Sequence, residues 1–293
     1  MKSSYGWKPG DDTILRISKS SLGTLKWCPQ QYVFEYIQYI RGETNEDMIR
    51  GTNVHNALEA FYPNVEPILE DIIETADEGN HHMALDMLRG AFPGPTECER
   101  DENDPFIKAG VWGYGESEIL DNLAEDELSR LLKTEGRNFL PVGNETLVEA
   151  WEDIEVKGQT VKVHYKGFID RIFKARGGGY ALMELKTGKW KDSKTSPMRQ
   201  EMAFYAHMLS LPTCTVPEFA NITHWGWRFP RTPYTHYEPI KKVSISAMKK
   251  RLEVLVRSHL EQDFQPKADP FKCSWCSHMP LCPAWTEEVI IDV

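Results

Sequence analysis

The strongest constraint on this chain is a pair of β-rich segments, residues 160–174 (ending in KGFIDRIFK) and 179–187 (GYALMELKT), joined through the turn RGGG at 176–179. Consecutive glycines accept the positive φ values of a tight turn, so the two segments are predicted to form an antiparallel hairpin. A hairpin of this length brings Asp170 and Glu184 to one face, and the two-residue period of a strand adds Lys186 to it. Phe168, Ile169, Ile172, Leu182, Met183 and Leu185 surround these charges and predict burial. Two carboxylates held this close repel, and burying them unpaired is costly, so a divalent cation is the expected partner. Carboxylate oxygens select a hard ion, Mg²⁺ or Mn²⁺. A lysine beside such a site can orient an attacking water and neutralise a phosphate oxygen. By spacing alone, an ordinary surface hairpin with ion pairs is the commoner explanation; the apolar setting favours the chemical reading.

The rest of the chain gives this hairpin a frame. Residues 18–40 have helical spacing, with Ser18 as N-cap and a break at Pro29. A second helix is expected at 52–62, followed over 64–140 by several short helices interrupted by the acidic, turn-rich FPGPTECERDENDP. Residues 146–156 alternate as a strand and lead through KGQ (157–159) into the hairpin. A helix at 197–211, strands at 222–229 and near 235–243, and a basic helix at 246–262 complete the body. Helices, then a meander of strands, then helix and strands again predict an α/β (α+β) fold.

The chain of 293 residues carries 34 Lys+Arg against 44 Asp+Glu, a formal charge of −10 that argues against nucleic acid as a partner until its distribution is read. Between Glu59 and Glu127 lie 19 acidic residues and three basic ones, Arg89, Arg100 and Lys108. The remainder is therefore mildly basic, with clusters at Lys186, Lys189, Lys191, Lys194 and Arg199 and at Lys241, Lys242, Lys249, Lys250 and Arg251. No apolar run approaches the roughly 20 residues of a membrane span, and residues 1–18 show no secretory pattern. The expected compartment is the cytoplasm, where cysteines read as metal ligands before disulfides. No P-loop signature is present, so any strand unwinding is expected from another chain, a helicase or recombination partner.

GFID (167–170) with ELKTG (184–188), and Gly51, His55 and Glu59 spaced as G-x-x-x-H-x-x-x-E, resemble motifs of the PD-(D/E)XK nuclease superfamily in its RecB-like branch. The resemblance implies a restriction-endonuclease-like core, a central mixed sheet flanked by helices. It also implies a metal-dependent DNA exonuclease, with single-stranded ends as the expected substrate. His55, Asp170, Glu184 and the main-chain carbonyl of Leu185 would hold the ion, and Lys186 would be catalytic. One motif departs from the pattern: where the family has Q-x-x-x-Y, Gln200 and Tyr205 are five apart here and diverge around a helix. Glu201 faces the same way as Tyr205, so either Glu201 replaces the glutamine or the helix is distorted. Tyr205 and Gln200 are expected near DNA, and Lys189, Arg199, Lys249 and Lys250 are expected to follow its phosphates. Trp190, Trp225 and Trp227 are candidates for base stacking, with core packing as the plainer fate.

The tail reads Cys273-x2-Cys276-x5-Cys282, three soft ligands that need a fourth, to be drawn from Cys28, Cys98, Cys214 or His278. Cys28 opens WCPQQY, and the pattern of one early and three late cysteines is similar to AddB-type nuclease domains and to the fourth CRISPR-associated protein family. That resemblance implies a [4Fe–4S] cluster on Cys28, Cys273, Cys276 and Cys282, with zinc as the rival occupant. Closing the 245 residues between positions 28 and 273 is worth on the order of 5 kcal/mol of chain entropy by analogy with a disulfide. The expected organisation is one nuclease domain over 1–293: N-terminal helices at 18–45, an acidic helical insertion at 60–140, a catalytic core at 145–262 and a cluster tail at 263–293. A catalytically idle DNA-binding module of the same fold, or a partner-bound nuclease that processes CRISPR spacers, are the alternatives.

Overall fold

The computed structural model describes residues 14–42, 44–93, 116–134 and 136–286. The acidic loop around residues 94–115, with Cys98, lies outside them. The chain opens with β1 (Leu15–Ile17), then α1 (Lys19–Trp27) and α2 (Pro29–Tyr32), which runs into a π-helical turn at Val33–Ile37. Ser18 caps α1 in a reciprocal capping box with Ser21, and Pro29 begins α2 at a position where a missing N–H costs nothing. The expected break at Pro29 is thus where one helix ends and the next starts. Four helices follow: α3 (Glu46–Val65), α4 (Leu69–Asp77), α5 (His81–Gly90) and α6 (Glu116–Leu131).

The strands come next. β2 (Gly143–Val156) and β3 (Gln159–Lys174) are joined by a two-residue turn in which Lys157 and Gly158 both have positive φ, 52° and 73°. β4 (Tyr180–Leu185) follows the glycine turn, where Gly177, Gly178 and Gly179 have φ of 87°, 100° and 73°. Any side chain there would be strained. Then come α7 (Thr195–Ser210), β5 (Ile222–Phe229), β6 (Tyr234–Pro239) and α8 (Lys242–Glu261), and the short helices α9 (Pro270–Cys273) and α10 (Pro283–Thr286).

Among the described residues, the six strands belong to one mixed sheet. β2 lies antiparallel along one edge of β3; on the other edge β1 pairs in parallel and β4 antiparallel. β5 extends the sheet parallel to β4, and β6 closes it antiparallel to β5. One apolar core lies among this sheet, α1, α7 and α8, and contains Val163, Leu182, Phe204, Trp225 and Leu255. A second core joins α3–α6 to Phe173, Met183 and Leu185 of the sheet. Trp225 and Trp227 are fully buried in the first core, and Trp190 stacks on Tyr234 with ring centres 4.2 Å apart, so core packing takes all three tryptophans. No described helix is long and apolar enough to cross a membrane.

The acidic helical segment is tied down by charge. Glu127 of α6, fully buried, pairs with Arg130 at 2.7 Å and with Arg228 of β5, and accepts from the Tyr62 hydroxyl at 2.9 Å. Burial pushes the Glu127 carboxyl up, but Arg130 and Arg228 outweigh it and bring it down to about 2. Asp126 meets Arg228 Nε at 2.7 Å. At least these two acids grip the sheet.

Candidate active site

The ladder that pairs Arg171 with Met183 puts Asp170 opposite Glu184 one step beyond its last pair. There β3 and β4 separate, and the Asp170 carboxylate fills the opening by accepting the Leu185 N–H at 2.7 Å. Beyond it Lys186 donates its backbone N–H to the Arg228 carbonyl at 2.9 Å, so β4 stays joined to β5 while leaving β3. This split leaves room for the buried Asp170 carboxylate beside the end of the β3–β4 ladder.

Glu184 is 2% exposed. Its Oε1 accepts from Lys186 Nζ at 2.8 Å and from Lys19 at the start of α1. Its Oε2 is buried without a hydrogen-bond partner. Lys186 also reaches Glu201 Oε2 at 2.8 Å, and Lys19 lies 3.5 Å from that same oxygen. Two ammonium groups thus alternate with two carboxylates. Burial alone would raise Glu184, yet Lys186 and Lys19 hold it well below the usual carboxylate range. Asp170 moves the other way: burial and then the Glu184 charge push it up to about 6.

His55 enters from α3, with Nδ1 4.0 Å from Asp170 Oδ2 and 3.6 Å from Glu145 Oε1. Burial would depress its pKa, but the contact with Glu145 and the charge on Asp170 raise it. Glu59, four residues on, is exposed, and its carbonyl accepts from Asn144 at 2.8 Å. Ligand atoms of His55, Glu145 and Asp170 all lie within 4.8 Å of one another, the grouping among the described residues best suited to a cation. The sequence reading missed Glu145. Its left-handed backbone (φ 46°) is uncommon for a non-glycine residue, and Arg171 Nη1 holds its carboxylate at 3.1 Å. The register of β2 on β3 places it across from Asp170, which is the signal a strand alignment could have used.

The donor set fits a hard divalent ion: carboxylates with one imidazole, and beside them a buried carboxylate oxygen lacking a partner. Glu184 itself stands outside the tight three-residue group, its other oxygen held by the two lysines.

Tyr205 of α7 donates its hydroxyl to the Phe168 carbonyl, and its ring lies where a Cβ on Gly167 would come within 2.9 Å. The glycine of GFID is therefore required by the tyrosine packed on it. Glu201, not Gln200, reaches Lys186, at 2.8 Å. Gln200 points away, its Oε1 accepting from Lys26 at 3.2 Å and from Arg251. Arg199 is not an open cation: Glu238 takes it in two hydrogen bonds of 2.6 Å. Lys189, Lys249 and Lys250 are exposed.

The four cysteines 28, 273, 276 and 282 line one apolar pocket with Phe34 and Met279. Burial raises the Cys276 thiol, and the nearby sulfurs of Cys28, Cys273 and Cys282 add to it. Asp269 donates its N–H to Cys273 Sγ at 3.5 Å. His278 faces Glu35 at 3.3 Å instead, and buried Cys214 lies elsewhere.

The model of the PD-(D/E)XK nuclease superfamily matches residues 16–283. The chain belongs to the PD-(D/E)XK nuclease superfamily. The mixed sheet flanked by helices agrees with the restriction-endonuclease-like core of that superfamily. Among solved structures, this nuclease chain is similar to "Putative exonuclease" from Eubacterium rectale (12% identity, covering 95% of this chain and 94% of that one, TM-score 0.46). It is also similar to SSO0001 (14% identity, 94% and 88% covered, TM-score 0.39). Scores this low say nothing about the site. No curated protein matches the chain.

Proposed function

We propose that this superfamily member is a RecB-like, metal-dependent exonuclease that hydrolyses phosphodiester bonds at single-stranded DNA ends. The observation that carries the reading is that His55 and Asp170, 4.0 Å apart, lie beside the Glu184–Lys186 pair, hydrogen-bonded at 2.8 Å, whose carboxylate keeps one buried oxygen without a protein partner. Mg²⁺ or Mn²⁺ held by His55, Asp170 and Glu145, with Glu184 and the Leu185 carbonyl alongside, would supply Lewis acidity and a more acidic bound water. The chain's own groups do the rest. Lys186, already hydrogen-bonded to Glu184 and Glu201, is placed to orient the nucleophile and to neutralise charge on a phosphate oxygen. Asp170 and His55 must shed their protons before ligating, and the Leu185 N–H holds Asp170 in place. Glu201 with Lys19 keeps Lys186 from collapsing fully onto Glu184.

A [4Fe–4S] cluster, with zinc as the rival, is proposed on Cys28, Cys273, Cys276 and Cys282 as a clasp joining the two ends of a single nuclease domain. Its role is structural. A cytoplasmic setting and an unwinding partner chain fit this reading.

The test is digestion of end-labelled and circular DNA, single- and double-stranded, with Mn²⁺, Mg²⁺ or chelator. Metal-dependent loss of linear single strands with circles spared is the expected result. Cutting of circles would refute exonuclease action, and no cutting with any metal would favour an idle binding module. Iron and sulfide analysis of protein purified without oxygen decides between cluster and zinc.

A further inference from the structure

A groove of about 410 Å³ opens beside the catalytic lysine, between α1, α7 and α8. Leu22, Phe204 and Met248 form its apolar floor. Its walls carry Lys19, Lys26, Arg251 and Lys272, with Glu201 as the acid at the inner end. Lys19 is the link inward, since it touches Glu184 and Glu201. Lys26 follows seven residues later on the same helix, about 10 Å along the axis at 1.5 Å per residue. Between them Gly23 leaves the wall bare, with nothing within 4 Å of where its Cβ would be.

The charges in the middle of this groove are arranged as if waiting for an anion. Lys26 and Arg251 both point at one neutral atom, Gln200 Oε1. The Gln200 amide cannot turn freely, because its Nε2 donates to Ser196 Oγ at 3.0 Å. Among the described residues, neither Lys26, Arg251 nor Lys272 has a carboxylate within ion-pair distance. Lys267 adds a further cation, donating to the Lys26 carbonyl at 3.1 Å. Burial and this crowding lower the Lys26 pKa, with Arg251 and Lys267 as the repelling neighbours. Unpaired cations gathered around one amide oxygen lose Coulomb energy until a negative group sits among them. Trp27, 44% exposed, also lines the groove and lies under the Lys272 ammonium at 5.0 Å.

We propose that Lys26, Arg251 and Gln200 form a phosphate clamp, and that this groove is the track along which a single DNA strand reaches the Glu184–Lys186 centre. The inference rests on the nuclease reading above and extends it to a substrate path. A cleft of this volume lies at the small-molecule end of the pocket range, so it takes a nucleotide or two of one strand rather than a duplex. The exposed Lys249 and Lys250 of the same helix do not line it.

The experiment is fluorescence anisotropy of a labelled oligothymidine roughly 12 nucleotides long, within the site sizes of single-strand grooves, in chelator and over a salt series. The K26Q/R251Q double variant should bind at least about tenfold more weakly near 0.1 M salt, with a log–log salt slope shallower by roughly 1.4, about 0.7 for each phosphate no longer neutralised. Arg251→Lys keeps the charge and should keep the slope. K174Q/K242Q, an equal loss of charge outside the groove, should change the slope little. Equal affinity and slope in a folded K26Q/R251Q protein would overturn the clamp, as would an equal loss in K174Q/K242Q. A duplex that competes as well as the single strand would overturn the track. Wild-type protein that cuts DNA while the clamp variant binds normally removes this inference alone; wild-type protein that neither binds nor cuts removes the nuclease reading and the clamp with it.

Discussion

Glu145→Gln separates a built cation site from a chance gathering of acids. Glu145 lies 3.6 Å from His55 Nδ1 and 3.1 Å from Arg171 Nη1, and shares its small sphere of ligand atoms with Asp170. The amide keeps the shape and one acceptor oxygen but removes a unit of charge. Two unit charges at about 4 Å interact by roughly 4 kcal/mol at an effective dielectric near 20. A water taking the vacated position returns part of this. The expected net loss is about 1.4–2.8 kcal/mol, a 10- to 100-fold weaker affinity for Mn²⁺. A second, smaller effect falls on Arg171. That residue is 2% exposed, and its Nε and Nη2 already lack partners, so exchanging its carboxylate for an amide costs about 1–2 kcal/mol of stability without metal. Isothermal titration with Mn²⁺ reads the first effect and urea unfolding in chelator the second. An E145Q protein whose Kd for Mn²⁺ stays within twofold of wild type refutes the assignment of Glu145 as a ligand, whatever the unfolding shows.

Lys186→Met is expected to reduce cleavage by orders of magnitude while DNA binding in chelator persists; cutting at the native rate would remove Lys186 from the chemistry. Mn²⁺ affinity should fall as pH drops through the raised His55 pKa, which lies above the ordinary 6.5, and fall further below about 6, where protons also compete for Asp170. Only above both pKa values are the two ligands free, so titrations from pH 5 to 8 that gave one constant affinity would contradict the coupling. Glu127→Ala leaves Arg130 without its carboxylate and Arg228 with Asp126 alone, and should cost about 3–5 kcal/mol in urea unfolding; a change under about 1 kcal/mol would show the network to be loosely solvated. Cys28→Ser should lower bound iron or zinc and the unfolding midpoint together, whereas unchanged metal content would exclude Cys28 from the clasp.

The strands around the site were legible because their signals are local. Period-two alternation and the glycine turn specify β3, β4 and their register, and the register sets Asp170 opposite Glu184. Residues 222–229 were delimited as a strand for the same reason. The cationic surface was not legible in this way. Arg199 and Arg251 look alike among the basic residues of the sequence, yet Glu238 arrives from another strand to neutralise the first, and among the described residues nothing acidic reaches the second. Likewise the one-residue offset of Gln200 from the family spacing is decided by which face of α7 meets Lys186.

By itself, the amino-acid order determined which segments become helix or strand and that two acids and a lysine share a face, since those properties depend on near neighbours in the chain. His55 and Cys28 were legible only through the family resemblance, and only the folded arrangement brought Lys19 to Glu184 and Glu145 to His55. These partners are separated by tens to hundreds of positions, and their meeting depends on how buried apolar surfaces of different elements fit together, a quantity that no local pattern encodes.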